Sequence, residues 1–379
     1  MHLPSRKKAI IAVLVVTLLT FFLIIFFWRR NTATEKGSIF LKASASGPIT
    51  TDKLDKVPIL VKAEKREVND EAIGYIQTQR TADGYYNYLA HYDEQCRTQD
   101  GKKVCPFDNQ RVFQTSNAWT ALAYLAAYQH TNEQIYLDQA KTDLNKLIEW
   151  CTRDLSQCQW VLVQTVRVYE QTKNQNVLTF LQQVGEYMLS HPSADNKQPM
   201  LTSIEARELA MLYGLTKDQR YIDEAQNRLV KARQELDTED PSIFRRGGFP
   251  ESVHVCWYSL GELEVAKQKP DPLRLITLRN FIDHASLPRY YNAFAYPVEI
   301  QPCIELYYEL YKTTSQTNYQ KAGDYLLSLF TIDFWDNEKN KKYYGEGGTL
   351  MNGHPSLVEI DGKYVSITDS AYTVFLMNL

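Results

Sequence analysis

A pair of helical segments recurs along the sequence from about residue 67 to the C-terminus. Each unit predicts an apolar helix, a polar turn and an amphipathic helix. The third unit is the clearest, because the apolar residues of RYIDEAQNRLVKARQEL recur every three or four positions from Tyr221 to Leu236. Repeats of this kind bury their apolar faces by stacking on their neighbours, so the sequence predicts one all-α domain of helical hairpins.

Two predicted helices have no adjacent partner in the sequence. One is amphipathic, covers residues 69–80 and ends at an Asp-Gly turn, and the other is the apolar C-terminal segment, residues 367–379. If they pair as an outer and an inner helix, they complete a sixth hairpin and close a ring. An open solenoid is the alternative, but it needs polar capping repeats, and this chain ends on an apolar helix. The predicted fold is therefore an (α/α)6 toroid over residues 67–379, preceded by one N-terminal transmembrane helix.

That transmembrane helix is predicted from residues 9–28, AIIAVLVVTLLTFFLIIFFW, in which two threonines are the only polar side chains. At about 1.5 Å per residue the segment spans the hydrocarbon core of a bilayer. Basic residues at 6–8 precede it and favour a cytoplasmic N-terminus. A cleaved signal peptide is the alternative, because Ala43-Ser44-Ala45 resembles a cleavage site, but this site lies about fifteen residues beyond the apolar segment.

The expected organisation is a cytoplasmic stub (1–8), a retained signal-anchor (9–28), a polar tether (29–66) and the toroid domain (67–379). The protein is then a single-pass protein of the cell membrane with its C-terminal domain outside the cytoplasm. The N-terminal helix makes the membrane a partner, whereas no motif identifies an envelope protein partner.

Six cysteines agree with an extracytoplasmic location. Cys96 and Cys105 flank one polar turn, Cys151 and Cys158 flank another, and each pair is predicted to form a local disulfide, which persists only in an oxidising compartment. Closure of the ring also brings Cys256 near Cys303, as a third disulfide or as a buried contact. Reduced thiols remain the alternative, while the spacing and the scattered histidines argue against a zinc site.

Composition excludes some functions. The chain is 44% apolar and 23% charged with a net charge of -3, which is typical of a globular protein and lacks the basic excess of a nucleic-acid partner. Phosphate-loop, dinucleotide-binding, nucleophile-elbow and zinc-protease motifs do not occur in the sequence, so no cofactor and no metal are expected.

The candidate site lies where the inner helices begin, because their preceding loops meet at one central cleft. Glu251, Glu299 and Asp369 are predicted in the first turns of three inner helices, where a carboxyl pair can act as acid and base. Acidic residues are also expected there simply to offset the helix dipole. His254 follows Glu251 by three residues and is a candidate proton shuttle or a histidine held by a neighbouring carboxylate.

Aromatic and charged residues near the same loops are predicted to bind the ligand. Tyrosine rings present apolar faces to the C–H side of a sugar, and arginine binds acidic groups through its planar fork. The candidates are Tyr85, Tyr86, Asp108, Arg111, Glu205, Arg245, Arg246, Tyr291, Tyr296, Tyr344 and Glu346.

The hairpin pattern, turns such as LTKDQRYID and KTTSQTNYQ, and the segment GYYNYLAHYD resemble the six-hairpin glycosidases and related sugar epimerases. The resemblance is architectural and covers about residues 67–379; no catalytic motif matches, so no residue role is transferred. It implies a carbohydrate-active protein, a glycoside hydrolase or a sugar epimerase, with a glycan or small-molecule ligand.

Three other functions remain open. A non-catalytic toroid that binds a glycan or a protein would use the same aromatic cleft, and a structural protein of an envelope complex would use the anchor. The segment AIGYIQTQRTADGYY also resembles terpenoid-cyclase toroids, although the aspartate-rich motif and the repeated Gln-Trp pattern of those enzymes are not found in the sequence.

Overall fold

The computed structural model describes residues 62–86, 89–91, 97–99, 102–104, 116–191, 199–238, 251–285, 297–336, 342–343, 345–346 and 363–379. Within these ranges the chain forms twelve α-helices and a 3-10 helix at Leu155–Cys158. The α-helices are α1 (Lys62–Thr78), α2 (Ser116–Thr131), α3 (Gln134–Cys151), α4 (Leu162–Thr172), α5 (Gln175–Ser190), α6 (Pro199–Thr216), α7 (Gln219–Thr238), α8 (Glu251–Gln268), α9 (Pro272–Ala285), α10 (Pro297–Thr314), α11 (Thr317–Phe334) and α12 (Ile367–Met377).

The helices form six hairpins arranged in a closed ring. The even-numbered helices form the inner layer, where each packs against the next and α12 packs against both α10 and α2. The odd-numbered helices form the outer layer: α3, α5, α7, α9 and α11 each pack on the inner helix that precedes them in sequence, and α1 packs on α12. The six predicted hairpins and the all-α class are confirmed.

Burial distinguishes the two layers. Every residue of α6 from Pro199 to Leu212 is buried, because an inner helix has neighbours on all sides. By contrast, α7 buries one stripe, and the residues of that stripe are Tyr221, Ala225, Leu229, Ala232 and Leu236. Apolar residues all round therefore indicate an inner helix, and a single stripe indicates an outer one.

The ring closes between α1 and α12. Ile73 and Ile76 on α1 and Phe375 and Leu376 on α12 are all buried, as ring closure predicts. At the end of this contact the Asn378 side-chain amide donates to Oδ1 of Asn69 at 2.7 Å. The two ends of the domain thus form one hairpin.

Helix α1 begins at Lys62, inside the segment predicted to be tether. Its first turns are charged and have no apolar period, so the sequence pattern gave no helix there. A tertiary contact holds this turn: the Lys65 ammonium lies 3.4 Å from Asp324 of α11, and Tyr308 donates to the same carboxylate oxygen at 2.7 Å. Residues 62–66, which the sequence predicted as part of the tether, are therefore helical.

Four inner helices end in the same turn. The residue after each helix has a left-handed backbone, with φ of 62° at Asn132, 52° at Lys173, 59° at Lys217 and 58° at Ser315. Its N–H donates to the carbonyl of a tyrosine four residues earlier, which is Tyr128, Tyr169, Tyr213 or Tyr311. The threonine before it donates to the carbonyl four residues before itself. A Tyr-x-x-Thr pattern thus marks the repeat, and we did not predict it from the sequence.

Short strands lie in the described segments between helices. They are β1 (Leu89–His91), β2 (Arg97–Gln99), β3 (Lys102–Val104), β4 (Trp335–Asp336), β5 (Lys342–Tyr343), β6 (Gly345–Glu346) and β7 (Lys363–Ser366). Strand β7 pairs antiparallel with β1 and β6, while β2 pairs with β3 and β4 with β5. Strands of two to four residues are too short to show an alternating pattern, so the sequence did not predict them.

Two of the predicted disulfides are present. Cys151 and Cys158 are joined with their Cα atoms 6.0 Å apart, and Cys256 and Cys303 are joined with theirs 5.0 Å apart. The predicted pair Cys96 and Cys105 lies outside the described residues, as does the predicted anchor at residues 9–28. Among the helices of the described ranges, none has both the length and the apolar character needed to cross a bilayer.

Candidate functional site

All six inner helices begin at the same end of the ring. Consecutive inner helices are joined through an outer helix that returns in the opposite direction, so the inner helices run parallel to one another. Glu251 is the first residue of α8, Glu299 the third of α10 and Asp369 the third of α12. The backbone therefore places the three predicted carboxylates in first turns at this end, although their side chains lie outside the described part of the chain.

The disulfide between α8 and α10 sets the relative height of two of these first turns. Glu251 precedes Cys256 by five residues, and Glu299 precedes Cys303 by four. With the two Cα atoms of the disulfide 5.0 Å apart, the two acidic positions are level to within about one residue rise, ~1.5 Å. This disulfide is buried, so it fixes the register of the two helices directly below their first turns.

Deeper in the ring, side chains from four inner helices meet at one glutamate, and we name Glu305, Arg167, Arg207 and Tyr372 the axial hub. Oε1 of Glu305 accepts from Nη2 of Arg167 at 2.7 Å and from Nη2 of Arg207 at 2.6 Å. Tyr372 donates its hydroxyl to Oε2 of Glu305. Burial opposes the ionisation of Glu305, but Arg207 and Arg167 outweigh it and lower the pKa, so the carboxylate is charged.

A second ion pair continues the hub toward the other end of the ring. Glu309 lies one turn after Glu305 on α10 and accepts from the Lys267 ammonium at 2.6 Å, with Arg167 at 3.8 Å. Burial raises the pKa of Glu309, but Lys267 and Arg167 outweigh burial and lower it to about 2. Both glutamates are therefore anionic at neutral pH, and each buried charge has an opposite charge in contact with it.

A row of aromatic rings lies beside the hub, and we name Trp119, Tyr372 and Phe375 the axial stack. The ring centroids of Trp119 and Tyr372 are 4.7 Å apart, and those of Tyr372 and Phe375 are 6.1 Å apart. The Arg167 guanidinium lies 4.3 Å from the centroid of Phe375. Tyr372 belongs to both groups, so the stack and the hub form one rigid unit along the inside of the ring.

Tyr86, one of the predicted ligand-binding residues, is bonded to the outer layer. Its side chain is fully buried, and its hydroxyl donates to Asp143 of outer helix α3 at 2.7 Å, beside the hydroxyl of Thr120 at 2.9 Å. Burial raises the pKa of Asp143 to about 6, although these hydrogen bonds favour the carboxylate. Tyr86 thus fastens the segment after α1 to the outer layer, while Tyr85 is half-buried, with the Lys146 ammonium 5.8 Å from its ring centroid.

Glu205 also points toward the outer layer instead of the cleft. Its carboxylate lies 2.5 Å from Nη1 of Arg228 on α7, and both side chains are buried. Arg228 also donates to the carbonyl of Met188 at 2.7 Å. This ion pair gives the buried charge of Glu205 a partner in the outer layer, and its ligand-binding role stays a prediction.

His254 is buried in the first turns of α8, and burial lowers its pKa to about 4. The imidazole is therefore neutral at pH 7, so it can accept a proton but is not the imidazolium that acts as a general acid. A shuttle role stays a prediction in which His254 acts first as a base.

This burial predicts a loss of stability at acidic pH. The ordinary pKa of histidine is about 6.5, so between that value and the folded pKa of about 4 the unfolded chain binds a proton that the folded protein does not. Stability therefore falls as the pH decreases through this interval, by at most about 3 kcal/mol. We expect the urea midpoint of His254→Asn to decrease less between pH 7 and pH 4.5 than the midpoint of wild type does. The control variant His130→Asn, which replaces an exposed histidine, should show the same pH dependence of stability as wild type. Equal pH dependence of stability in wild type and His254→Asn would contradict the prediction.

The remaining candidates were not placed. Asp108, Arg111, Arg245, Arg246, Tyr291, Tyr296 and Tyr344 lie outside the described residues. Glu346 is the second residue of β6, but its side chain belongs to the same undescribed part.

Four residues of the ring interior were not predicted as site residues: Trp119, Arg167, Glu305 and Tyr372. Two of them had a signal in the sequence, since Arg167 in VRVYE and Glu305 in IELYY are charged residues within helices expected to be buried. A charge in such a helix needs a partner across the ring. The candidate site was predicted in the loops that precede the inner helices, whereas these contacts form between the helices themselves.

Comparison with known proteins identifies the fold. No family model matches the chain, and no curated protein sequence matches it significantly. Among solved structures, unsaturated glucuronyl hydrolase from Streptococcus agalactiae is similar, with a TM-score of 0.62 and 12% identity over 88% of this chain and 96% of that one.

Two mannanases are similar as well. The GH76 α-mannanase of Bacteroides thetaiotaomicron gives a TM-score of 0.56 at 12% identity, covering 83% of this chain and 94% of that one. The α-1,6-mannanase of Salegentibacter, solved with α-1,6-mannotriose, gives 0.57 at 12% identity, covering 83% and 98%. At such identities the likeness shows the fold, and the domain has the six-hairpin, glycosidase-like toroid fold that the sequence predicted.

Proposed function

We propose that the protein is a membrane-anchored, extracytoplasmic, carbohydrate-active protein that hydrolyses or epimerises a glycan through a pair of carboxylates. The supporting observation is the common level of the acidic first turns. Glu251 and Glu299 begin neighbouring inner helices that a buried disulfide holds in register, and Asp369 begins α12 one turn above the axial stack.

This spacing suits glycoside chemistry. Glycoside hydrolases place two carboxyl groups about 5 to 9.5 Å apart, the shorter distance for retention and the longer for inversion of the anomeric centre. Packed helices have axes about 8 to 10 Å apart, so acidic residues in the first turns of neighbouring inner helices lie within that reach. A sugar epimerase needs the same kind of groups as acid and base. The similar proteins include a glucuronyl hydrolase and mannanases, which agrees with a sugar as ligand.

Binding and turnover test the proposal. The full-length chain in detergent is applied to a glycan array, and bound glycans are then incubated with it and analysed for new reducing ends or epimers. We expect Glu251→Gln, Glu299→Gln or Asp369→Asn to lower turnover by about 100-fold or more for the two that form the pair, with binding retained. Glu186→Gln, an exposed glutamate on α5, is the control and keeps full turnover.

Three outcomes are informative. Turnover that depends on two of the three carboxylates supports the enzyme. Glycan binding with no turnover identifies the alternative, a non-catalytic binder. If no glycan binds at all, the carbohydrate proposal is rejected.

We further propose that residues 9–28 anchor the protein and that the domain lies outside the cytoplasm. The two disulfides in the described chain support this location, because such bonds persist in oxidising compartments. A Ser46→Cys variant is treated with a membrane-impermeant maleimide on intact cells. Labelling without lysis is expected, and labelling that appears only after lysis sinks the proposal.

A further inference from the structure

Trp119 differs from the residues around it in exposure. It lies in the first turn of α2, at the end where all inner helices begin. Of the twelve residues from Ser116 to Ala127, Trp119 is the only one that is not buried. This large aromatic ring is partly buried and keeps some accessible surface in an otherwise buried stretch of an inner helix.

Trp119 contacts a neighbouring inner helix and not the outer layer. The adjacent residue, Thr120, donates to Asp143 of α3 and so marks the outward face of α2. Each residue of an α-helix turns by about 100°, which directs Trp119 sideways from that face, toward a neighbouring inner helix. Its ring instead meets Tyr372 of neighbouring inner helix α12, at 4.7 Å between centroids with 41° between the planes.

The neighbours of Trp119 hold it in place before any ligand arrives. Tyr372 is buried and its hydroxyl is bonded to Glu305, which two arginines fix from other helices. A ring that is already immobilised loses little conformational freedom when a ligand stacks on it. Asp369 precedes Tyr372 by three residues, so it lies one turn nearer the end of the ring on the same side of α12.

We propose that Trp119 is the stacking platform of the ligand site, with its indole face against the C–H face of a pyranose ring and the sugar lying below the first turn of α12. This inference rests on the proposed carbohydrate function and adds the place of the sugar in the ring. An indole ring presents a wide apolar surface, and stacking with a sugar needs no charge on either partner. The axial hub positions this surface and takes no part in contact with the sugar.

Tryptophan fluorescence and binding test the platform. The full-length protein is titrated with the oligosaccharide that binds most tightly on the array, and emission is recorded with affinity. We expect a sugar-dependent change in emission for wild type, its loss in Trp119→Phe, and binding about tenfold weaker in Trp119→Ala. Trp150→Phe on outer helix α3 is the matched control, since it replaces another partly buried tryptophan, and it keeps both the affinity and the change in emission.

The outcomes separate this inference from the proposed function. If wild type binds a sugar and Trp119→Phe keeps both the full change in emission and the full affinity, the platform is overturned while the carbohydrate function stands. If wild type binds no sugar, both are overturned. If Trp119→Ala does not fold, Trp119→Phe alone decides, because it keeps an aromatic ring against Tyr372.

Discussion

Glu305→Gln is expected to lower the free energy of unfolding by about 3 to 5 kcal/mol. The substitution keeps the size of the side chain but removes the charge that Arg207 and Arg167 both require. The Arg207 side chain is only 2% exposed, so its guanidinium would remain buried without a carboxylate. A charge left unpaired in the interior costs far more than the ion pair itself contributes.

Urea denaturation of the full-length protein, followed by far-ultraviolet circular dichroism, measures this effect. Glu186→Gln is the matched control, because the pair between Glu186 and Arg220 lies on the surface, with side chains 50% and 60% exposed. Its loss should cost less than about 1 kcal/mol. The double variant Glu305→Gln, Arg207→Met removes both charges of this buried pair, so it should recover part of the lost stability. Equal urea midpoints for Glu305→Gln and Glu186→Gln would show that the charge of Glu305 does not stabilise the axial hub.

Deletion of residues 370–379 is expected to unfold the domain, not to fray one end. This segment supplies most of α12, which packs against α2, α10 and α1. Tyr372, Val374, Phe375, Leu376 and Met377 are all buried. Burial of each such side chain contributes about 1.5 to 3 kcal/mol, so losing five of them costs about 7.5 to 15 kcal/mol, as much as the roughly 5 to 15 kcal/mol by which a typical domain is stable.

Thermal melting and limited proteolysis measure the result of the deletion. Removal of Leu379 alone is the control, since this residue is only partly buried after the helix has ended, and it should change the melting temperature little. A truncated protein that melts cooperatively at the full-length temperature would show that the ring does not depend on its last helix.

Much of the architecture could be predicted because burial differs between the two layers. One apolar stripe in α7 and burial on all sides of α6 are direct consequences of having neighbours on one side or on all sides. The start of α1 was missed because Lys65 is held by Asp324, about 260 residues away in sequence, and local patterns do not contain such a contact.

The candidate site was harder to predict because the sequence pattern does not show in which direction a side chain on an inner helix points. Tyr86 and Glu205 have the residue types and positions of ligand contacts, but their side chains turn outward and bond to the outer layer. Which face of an inner helix meets the axis depends on how it is rotated against both neighbours. The charges at Arg167 and Glu305 signalled a contact across the ring, yet only the folded helices show that they meet at one point.

The hairpin formed by the first and last helices of the domain has a consequence for its biogenesis. Asn69 and Asn378 are bonded across a separation of 309 residues, so this contact forms only after all six hairpins have been synthesised. Closing so long a loop is slow compared with forming the hairpins between adjacent helices. Before α12 is available, the earlier hairpins form an incomplete arc with an exposed apolar edge, which favours aggregation and chaperone binding. A chain that lacks α12 keeps that edge exposed, so stable folding depends on the presence of the last hairpin.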